Sequence, residues 1–182
     1  MTPSDEQLVQ ESLKDKNKFA LLVERYEQRL LRYIKRLIGN QSDLSEDILQ
    51  EVFIKIYRNL NDFDTNLKFS SWAYRITHNE SINHAKRTKD TIPIETDGEE
   101  TANLINILES DTNIPEEASK KELAEKVHKA IENLPKKYRD VIILYYLEDK
   151  DYQEIGDILK KPTSTIGTLL SRAKAKFKQL YS

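Results

Sequence analysis

Cysteine is absent from this 182-residue chain, so neither a disulfide framework nor a thiolate metal site can form. Three scattered histidines make no metal site either. Glycine and proline are scarce, at four and five residues, and alternating β-branched runs are few, which excludes an all-β reading. No apolar run approaches the roughly 18 residues needed to cross a bilayer. The first residues lack the basic and apolar regions of a signal peptide, so the expected compartment is the cytoplasm. No glycine-rich phosphate loop, paired metal carboxylates or nucleophile–base set is visible. The chain therefore reads as a protein that is not an enzyme, with no cofactor, no metal and no small-molecule substrate.

What is present is charge, and it is unevenly placed. Charged residues make up 33% of the chain, with a formal net charge of −2. Counted along the sequence, residues 18–89 carry a net +4, residues 90–125 a net −9, and residues 126–182 a net +5. Blocks of charge are commonly solvated faces or tails. Two basic blocks around an acidic, Asn- and Thr-rich stretch instead predict two nucleic-acid-facing domains on a connector. The stretch "DTIPIETDGEETANLINILESDTNIPEEASKK" has no sustained helical period and reads as a mobile linker.

Within the first block, apolar residues at Phe19, Leu22, Val23, Tyr26, Leu30, Tyr33, Ile34 and Leu37 fall three and four apart, one helical stripe. Asn17 is the expected N-cap and Gly39 the stop. Ser4 and Gln7 have capping-box spacing for a short preceding helix. A second long helix opens near Ser42 or Asp43 and carries Leu44, Ile48, Val52, Ile56 and Leu60. "NLNDFDTNLKF" breaks the period, and another helix runs from Ser70 to about Lys89. Its expected inner side is Trp72, Ala73, Ile76, Ile82 and Ala85. Its outer side, Tyr74, Arg75, His78, Asn79, Asn83, Lys86 and Arg87, mixes rings, amides and cations, the inventory used against unstacked DNA. Trp72 at helical spacing is more often core than base platform, and both uses stay open on pattern alone.

In the last third, Leu123, Val127, Ile131 and Leu134 are in phase from about Ser119, and Pro135 starts another helix bearing Tyr138, Val141, Ile142 and Tyr145. "YQEIGDILKKPTSTIGTLLSRAKAKF" reads as two helices around a Lys-Lys-Pro turn. Asp151 and Glu154 have capping-box spacing, and Tyr152, Ile155, Ile158 and Leu159 are expected inward. Ile166, Leu169, Leu170, Ala173, Phe177 and Leu180 form the second helix's buried stripe. Thr165, Thr168, Ser171 and Arg172 fall on the other side, followed by Lys174, Lys176 and Lys178. Small polar residues near the N-terminus of such a helix reach base edges while basic ones hold phosphates. A plain helical hairpin would show the same pattern.

The segment "EDILQEVFIKIYRNLNDFDTNLKFSSWAYRITHNESINHAKR", Glu46 to Arg87, resembles region two of a bacterial sigma factor of the extracytoplasmic-function (ECF) type, sigma-70 family. "DILQEVF" and "FSSWAYRITHN" occur in the family's order and spacing, and the basic C-terminal block resembles region four. The resemblance implies an all-α chain of two small helical domains: residues 1–89 for core polymerase and the minus-ten element, an acidic flexible linker at 90–118, and a helix-turn-helix domain at 119–182 for the minus-thirty-five element. It implies core-polymerase binding by Asp47, Gln50, Glu51, Phe53 and Ile54. For minus-ten DNA it implies the loop from Asn61 to Phe69, with Phe63 and Asp64, and then Ser71, Trp72, Arg75, Asn79, Asn83, Lys86 and Arg87. For minus-thirty-five DNA the matching residues are Thr165, Thr168, Ser171, Arg172, Lys174 and Lys176. The implied partners are bacterial core RNA polymerase, promoter DNA and an anti-sigma factor, often membrane-anchored, which would hold the chain at the inner face of the membrane.

Five positions depart from the family pattern. Asn83 replaces a frequent Asp, Glu80 an apolar residue, Lys160 a glycine expected to be left-handed, and Gly167 and Leu169 basic residues. The alternative to a sigma factor is a conventional helix-turn-helix regulator, which binds duplex DNA tightly without polymerase, usually as a dimer.

Overall fold

The computed structural model describes residues 3–39, 42–88 and 120–181, all helices, turns and loops; the linker expected at 90–118 lies outside the described residues. The chain divides into two compact units, taken in turn.

The first unit is built from α1 (Asp5–Lys14), α2 (Phe19–Ile38), α3 (Ser42–Arg58) and α4 (Phe69–Thr88). α1 opens with the expected capping box: Ser4 Oγ accepts from the Gln7 amide at 3.2 Å and Gln7 Oε1 accepts from the Ser4 amide at 2.8 Å. Asp5 then binds both the Tyr26 hydroxyl and Arg25, pinning α1 to α2. Burial, followed by the hydrogen bond to Asp5, pushes the Tyr26 phenol well above its ordinary range, so it stays a donor. The Phe69 amide donates to Glu6 at 3.2 Å, so α1 also supplies an acceptor to the open N-terminus of α4.

α2 buries Leu22, Tyr26, Leu30, Tyr33, Ile34 and Leu37 against α3 and α4, along the stripe its spacing predicts. Each such side chain contributes on the order of 2 kcal/mol, set against the ordering cost of the chain. Gly39 stops the helix at φ 86, a conformation that favours glycine. The start differs from expectation. Asp15, not Asn17, is the cap; it accepts from the Asn17 amide at 3.0 Å over a 3-10 turn, and α2 proper begins at Phe19.

α4 departs furthest from its sequence reading. Tyr74 and His78, expected outside, are buried, and the Tyr33 hydroxyl lies 2.9 Å from His78 Nδ1. Ile76, Ile82 and Ala85, expected inside, are only half-buried. The cause is that α2 and α3 both pack on α4, which widens its buried arc. Small polar residues fill part of that arc. Thr77 and Ser81 are buried, and each hydroxyl donates to the carbonyl four residues back at 2.9 Å. A count of apolar residues cannot register them.

The C-terminal helices are α5 (Lys120–Glu132), α6 (Lys136–Ile142), α7 (Tyr152–Leu159) and α8 (Thr163–Tyr181), which apart from Asp157–Leu159 belong to the second unit. Val127, Ala130, Ile131 and Leu134 are buried, and Pro135 sits where α6 begins; Leu123, expected on the same stripe, falls outside the side chains described. α6 runs into a π turn at Ile143–Leu147, closed by the Glu148 amide on the Ile143 carbonyl at 3.1 Å. The α7 capping box is present, with Asp151 Oδ1 accepting from the Glu154 amide at 2.8 Å. α8 buries Ile166, Leu170, Ala173 and Phe177. Tyr152 and Leu180, expected inside, are 43% and 38% exposed.

The turn between α7 and α8 is tight. The Lys161 amide donates to the Gly156 carbonyl at 3.0 Å, and a Cβ on Gly156 would stand 2.7 Å from the Lys161 carbonyl oxygen. No larger residue fits without moving backbone. Lys160 takes the left-handed conformation at φ 56, ψ 50, as its position predicts. Lys160→Gly is expected to stabilise this unit by roughly 1 kcal/mol, read as a rise in protection of the α7 and α8 amides in hydrogen exchange; unchanged or lower protection would mean the lysine carries a compensating contact.

Candidate nucleic-acid interface

The outward face of α4 is the most distinctive surface of the first unit. Arg75 is half-buried, and Asn79, Asn83, Lys86 and Arg87 are exposed. Their near four-residue spacing lines them along the helix as two amides among three cations. Side chains of these types can pair with phosphates and base edges.

The other four residues predicted for this surface lie elsewhere, three of them buried. Phe63 and Trp72 are each 7% exposed and Ser71 is 1% exposed. Phe63 packs on Phe69 at 5.7 Å and on Trp72 at 5.3 Å between ring centroids, and Phe69 packs on Tyr26 at 5.2 Å. Phe63 thus plugs the loop that precedes α4. The tip beyond it is held by Asp64, whose Oδ1 accepts from the Asn66 amide and side chain, both at 2.9 Å. Asp64 itself is exposed. The aromatic residues build the frame beneath this surface, and Asn79, Asn83, Lys86 and Arg87 of α4 stand exposed on it.

A second surface lies on α3. Asp47, Gln50, Glu51 and Ile54 are exposed along one stripe, with Phe53 half-buried beside it. Sequence reasoning missed the neighbours that extend its apolar part. Tyr57 is 38% exposed, and Phe19 touches both Phe53 and Tyr57, with centroids 6.5 Å and 5.1 Å apart. The available signal was that Tyr57 falls one step off the buried stripe of Val52, Ile56 and Leu60.

Between α3 and α4, His84 Nε2 lies 2.9 Å from Glu51 Oε2, and Lys55 Nζ lies 2.6 Å from Glu80 Oε1. The hydrogen bond from His84 lowers the Glu51 carboxyl below its ordinary value, so it stays ionised. Glu51, Glu80 and His84 bring their ligating atoms within 4.8 Å of one another, which could accommodate a divalent cation. Lys55 already stands on Glu80 as its counter-cation, so these carboxylates are served by protein charges.

In the second unit, the exposed side of α8 carries Thr165, Thr168, Ser171, Arg172 and Lys176, with Lys174 half-buried. These residues lie away from the buried Ile166, Leu170, Ala173 and Phe177. The Thr168 hydroxyl donates to the Ser164 carbonyl at 3.1 Å, which leaves its lone pairs outward. A Cβ on Gly167 would stand 3.4 Å from the Tyr152 ring, an ordinary van der Waals contact, and the structure gives no reason for the missing basic side chain. The exposed tyrosine thus covers the first turns of α8 on that flank.

Comparison with known proteins gives the same division. A family model for Sigma-70 region 2 matches residues 22–91, and one for Sigma-70 region 4 matches residues 124–177. The chain is 36% identical over 163 residues to the ECF RNA polymerase sigma factor SigW of Bacillus subtilis, covering 88% of this chain and 87% of that one. It is 31% identical over 178 residues to the ECF RNA polymerase sigma-E factor of Escherichia coli, covering 94% and 91%. Its fold is similar to that of CnrH, solved in complex with the cytosolic domain of CnrY, at a TM-score of 0.67 and 20% identity over 98% and 97% of the chains.

Proposed function

This chain belongs to the ECF group of the sigma-70 family of RNA polymerase sigma factors, and from that premise we propose how its residues divide the work of promoter recognition. A sigma factor selects promoters for bacterial core RNA polymerase; the alternative of a regulator acting without polymerase is not favoured. In our reading residues 1–89 bind polymerase and the minus-ten element, residues 90–118 join the two domains, and residues 119–182 bind the minus-thirty-five element. The chain lends binding energy and the polymerase performs the chemistry, in the cytoplasm where polymerase and promoter are.

The α3 stripe of Asp47, Gln50, Glu51 and Ile54, with Phe53 at its edge, takes polymerase. The α4 face takes the minus-ten strand: Asn79 and Asn83 at base edges, Arg75, Lys86 and Arg87 at phosphates. Asp64 at the loop tip sits beside that path, while Phe63, Ser71 and Trp72 shape the floor. Extruding a base costs a few kcal/mol, which a fixed pocket offsets only if it is built before the strand arrives. The packed aromatic floor supplies that rigidity. In the second domain Thr165, Thr168, Ser171 and Arg172 meet base edges while Lys174 and Lys176 hold backbone. With Gly167 and Leu169 in place of cations, fewer phosphates are neutralised and the salt dependence is shallow. Each DNA surface is weak alone; joined on one promoter through polymerase they gain by effective concentration.

The observation that carries this reading is the separation of an acidic-amide stripe on α3 from a cationic-amide stripe on α4 within one packed unit. Gel filtration with bacterial core RNA polymerase tests it. Wild type is expected to co-elute, and a folded variant carrying Asp47→Ala and Gln50→Ala is expected to elute free. Co-elution of the variant would remove α3 from the interface, and failure of the folded wild type to co-elute would sink the whole assignment.

We also propose control by an anti-sigma factor covering the α3 face. Ile54 and Tyr57 are 50% and 38% exposed there, an apolar area suited to a protein partner. The fold relative CnrH was solved in complex with another protein segment, the cytosolic domain of CnrY. A membrane anchor on that partner would hold the chain at the membrane's inner face.

A further inference from the structure

Two polar pairs cross between α3 and α4, and the division of labour above uses neither. Glu51 and Lys55 lie one turn apart on α3, and Glu80 and His84 lie one turn apart on α4, so the pairs Glu51–His84 and Lys55–Glu80 form two rungs between the helices. Their exposure is lopsided. On α4 the side chains of His84 and Glu80 are 15% and 9% exposed, whereas on α3 those of Glu51 and Lys55 are 50% and 49% exposed. The anchored ends are on the helix assigned to DNA, and the free ends are on the helix assigned to polymerase.

A lone glutamate on an exposed helix samples several rotamers, and holding it still on binding costs about 1 kcal/mol or more in side-chain entropy. Glu51 is spared much of that cost because a nearly buried imidazole already holds one of its oxygens. We infer that His84 is a positioning residue for polymerase docking, holding the Glu51 carboxylate in one orientation on the α3 face while the Lys55–Glu80 rung keeps the two helices in register. The inference rests on the reading of α3 as the polymerase face. Lys55 and Arg87 also act on Glu51, and both favour its charged form. They add attraction without fixing direction, because the hydrogen bond that orients the carboxylate is the one to His84. Glu80, an acid where the family pattern is apolar, gains a reason to be there: it is the buried foot that Lys55 reaches.

Affinity for core RNA polymerase, measured by competition with the full-length chain, tests this through Glu51→Ala, His84→Ala, the double variant and His84→Gln. Glu51→Ala and His84→Ala are each expected to weaken binding about three- to five-fold, the range of a partly exposed charge-assisted pair. The double variant is expected to bind no worse than Glu51→Ala, because the two act through one contact. His84→Gln, whose amide can donate from a similar place, is expected to recover most of the loss without a change in melting temperature. Wild-type affinity for His84→Ala, or losses that multiply in the double variant, would overturn the inference. Asp47→Ala separates the two levels. If it weakens binding and His84→Ala does not, only the positioning role fails. If Asp47→Ala and Glu51→Ala both bind like wild type, the α3 reading fails and the inference with it.

Discussion

Trp72→Ala is expected to destabilise the first unit by about 4 kcal/mol, the usual cost of emptying a buried indole site. The indole is 7% exposed and wedged between Phe63 and Phe69, with centroids 5.3 Å and 5.8 Å away. Its removal leaves Phe63 without its larger neighbour, so the loop before α4 loosens together with the floor of the surface proposed for the minus-ten strand. Polymerase binding and promoter opening should then fall together, because α3 and α4 share one core. This chain has a single tryptophan, so the variant cannot be followed by tryptophan emission. Hydrogen exchange across α2, α3 and α4 in the full-length protein is the suitable readout. Trp72→Phe, which keeps a ring in the cluster, should recover more than half of the loss. Wild-type protection in Trp72→Ala, with promoter opening alone reduced, would instead make the indole a contact with DNA.

Asp140→Asn is expected to act in the opposite direction on the second unit. Asp140 is 7% exposed, and burial pushes its carboxyl up from 3.8 to about 6, only partly offset by Lys136 and Arg139. Keeping such a group ionised at pH 7 costs on the order of 3 kcal/mol. Between about pH 4 and 6 the folded unit holds a proton that the unfolded chain has released, so stability falls as pH rises through that window and levels off above it. The amide cannot ionise, so Asp140→Asn should flatten this slope. The variant should match wild type near pH 4 and exceed it by roughly 2 kcal/mol at pH 7. Protection of the amides from Val127 to Phe177, measured from pH 4 to 7.5, checks both points. A variant less stable than wild type at every pH would mean that the charge is held by contacts worth more than its desolvation.

Much of this molecule is legible in its residues. The helical stripes of α2 and α8, the capping boxes at Ser4 and Asp151, the stop at Gly39 and the left-handed Lys160 are each set by interactions within a few positions of the chain. The exposed polar stripe of α8 follows directly from the buried one, because one helix face excludes the other. Local geometry and a 3.6-residue period suffice for these features.

Other features were decided only by tertiary packing. Phe63, Ser71 and Trp72 share a segment with Asn79 and Arg87, and their types alone suit a base-stacking surface. They are buried because α1 and α2 bring Tyr26 and Glu6 against the start of α4. Tyr74 and His78 turned inward because α4 has two neighbouring helices, while Tyr152 turned outward to lie over Gly167. The Glu51–His84 pair joins residues 33 positions apart, and the Tyr33–His78 pair residues 45 apart. Contacts over such separations depend on how whole helices cross, and side-chain periodicity holds no record of that.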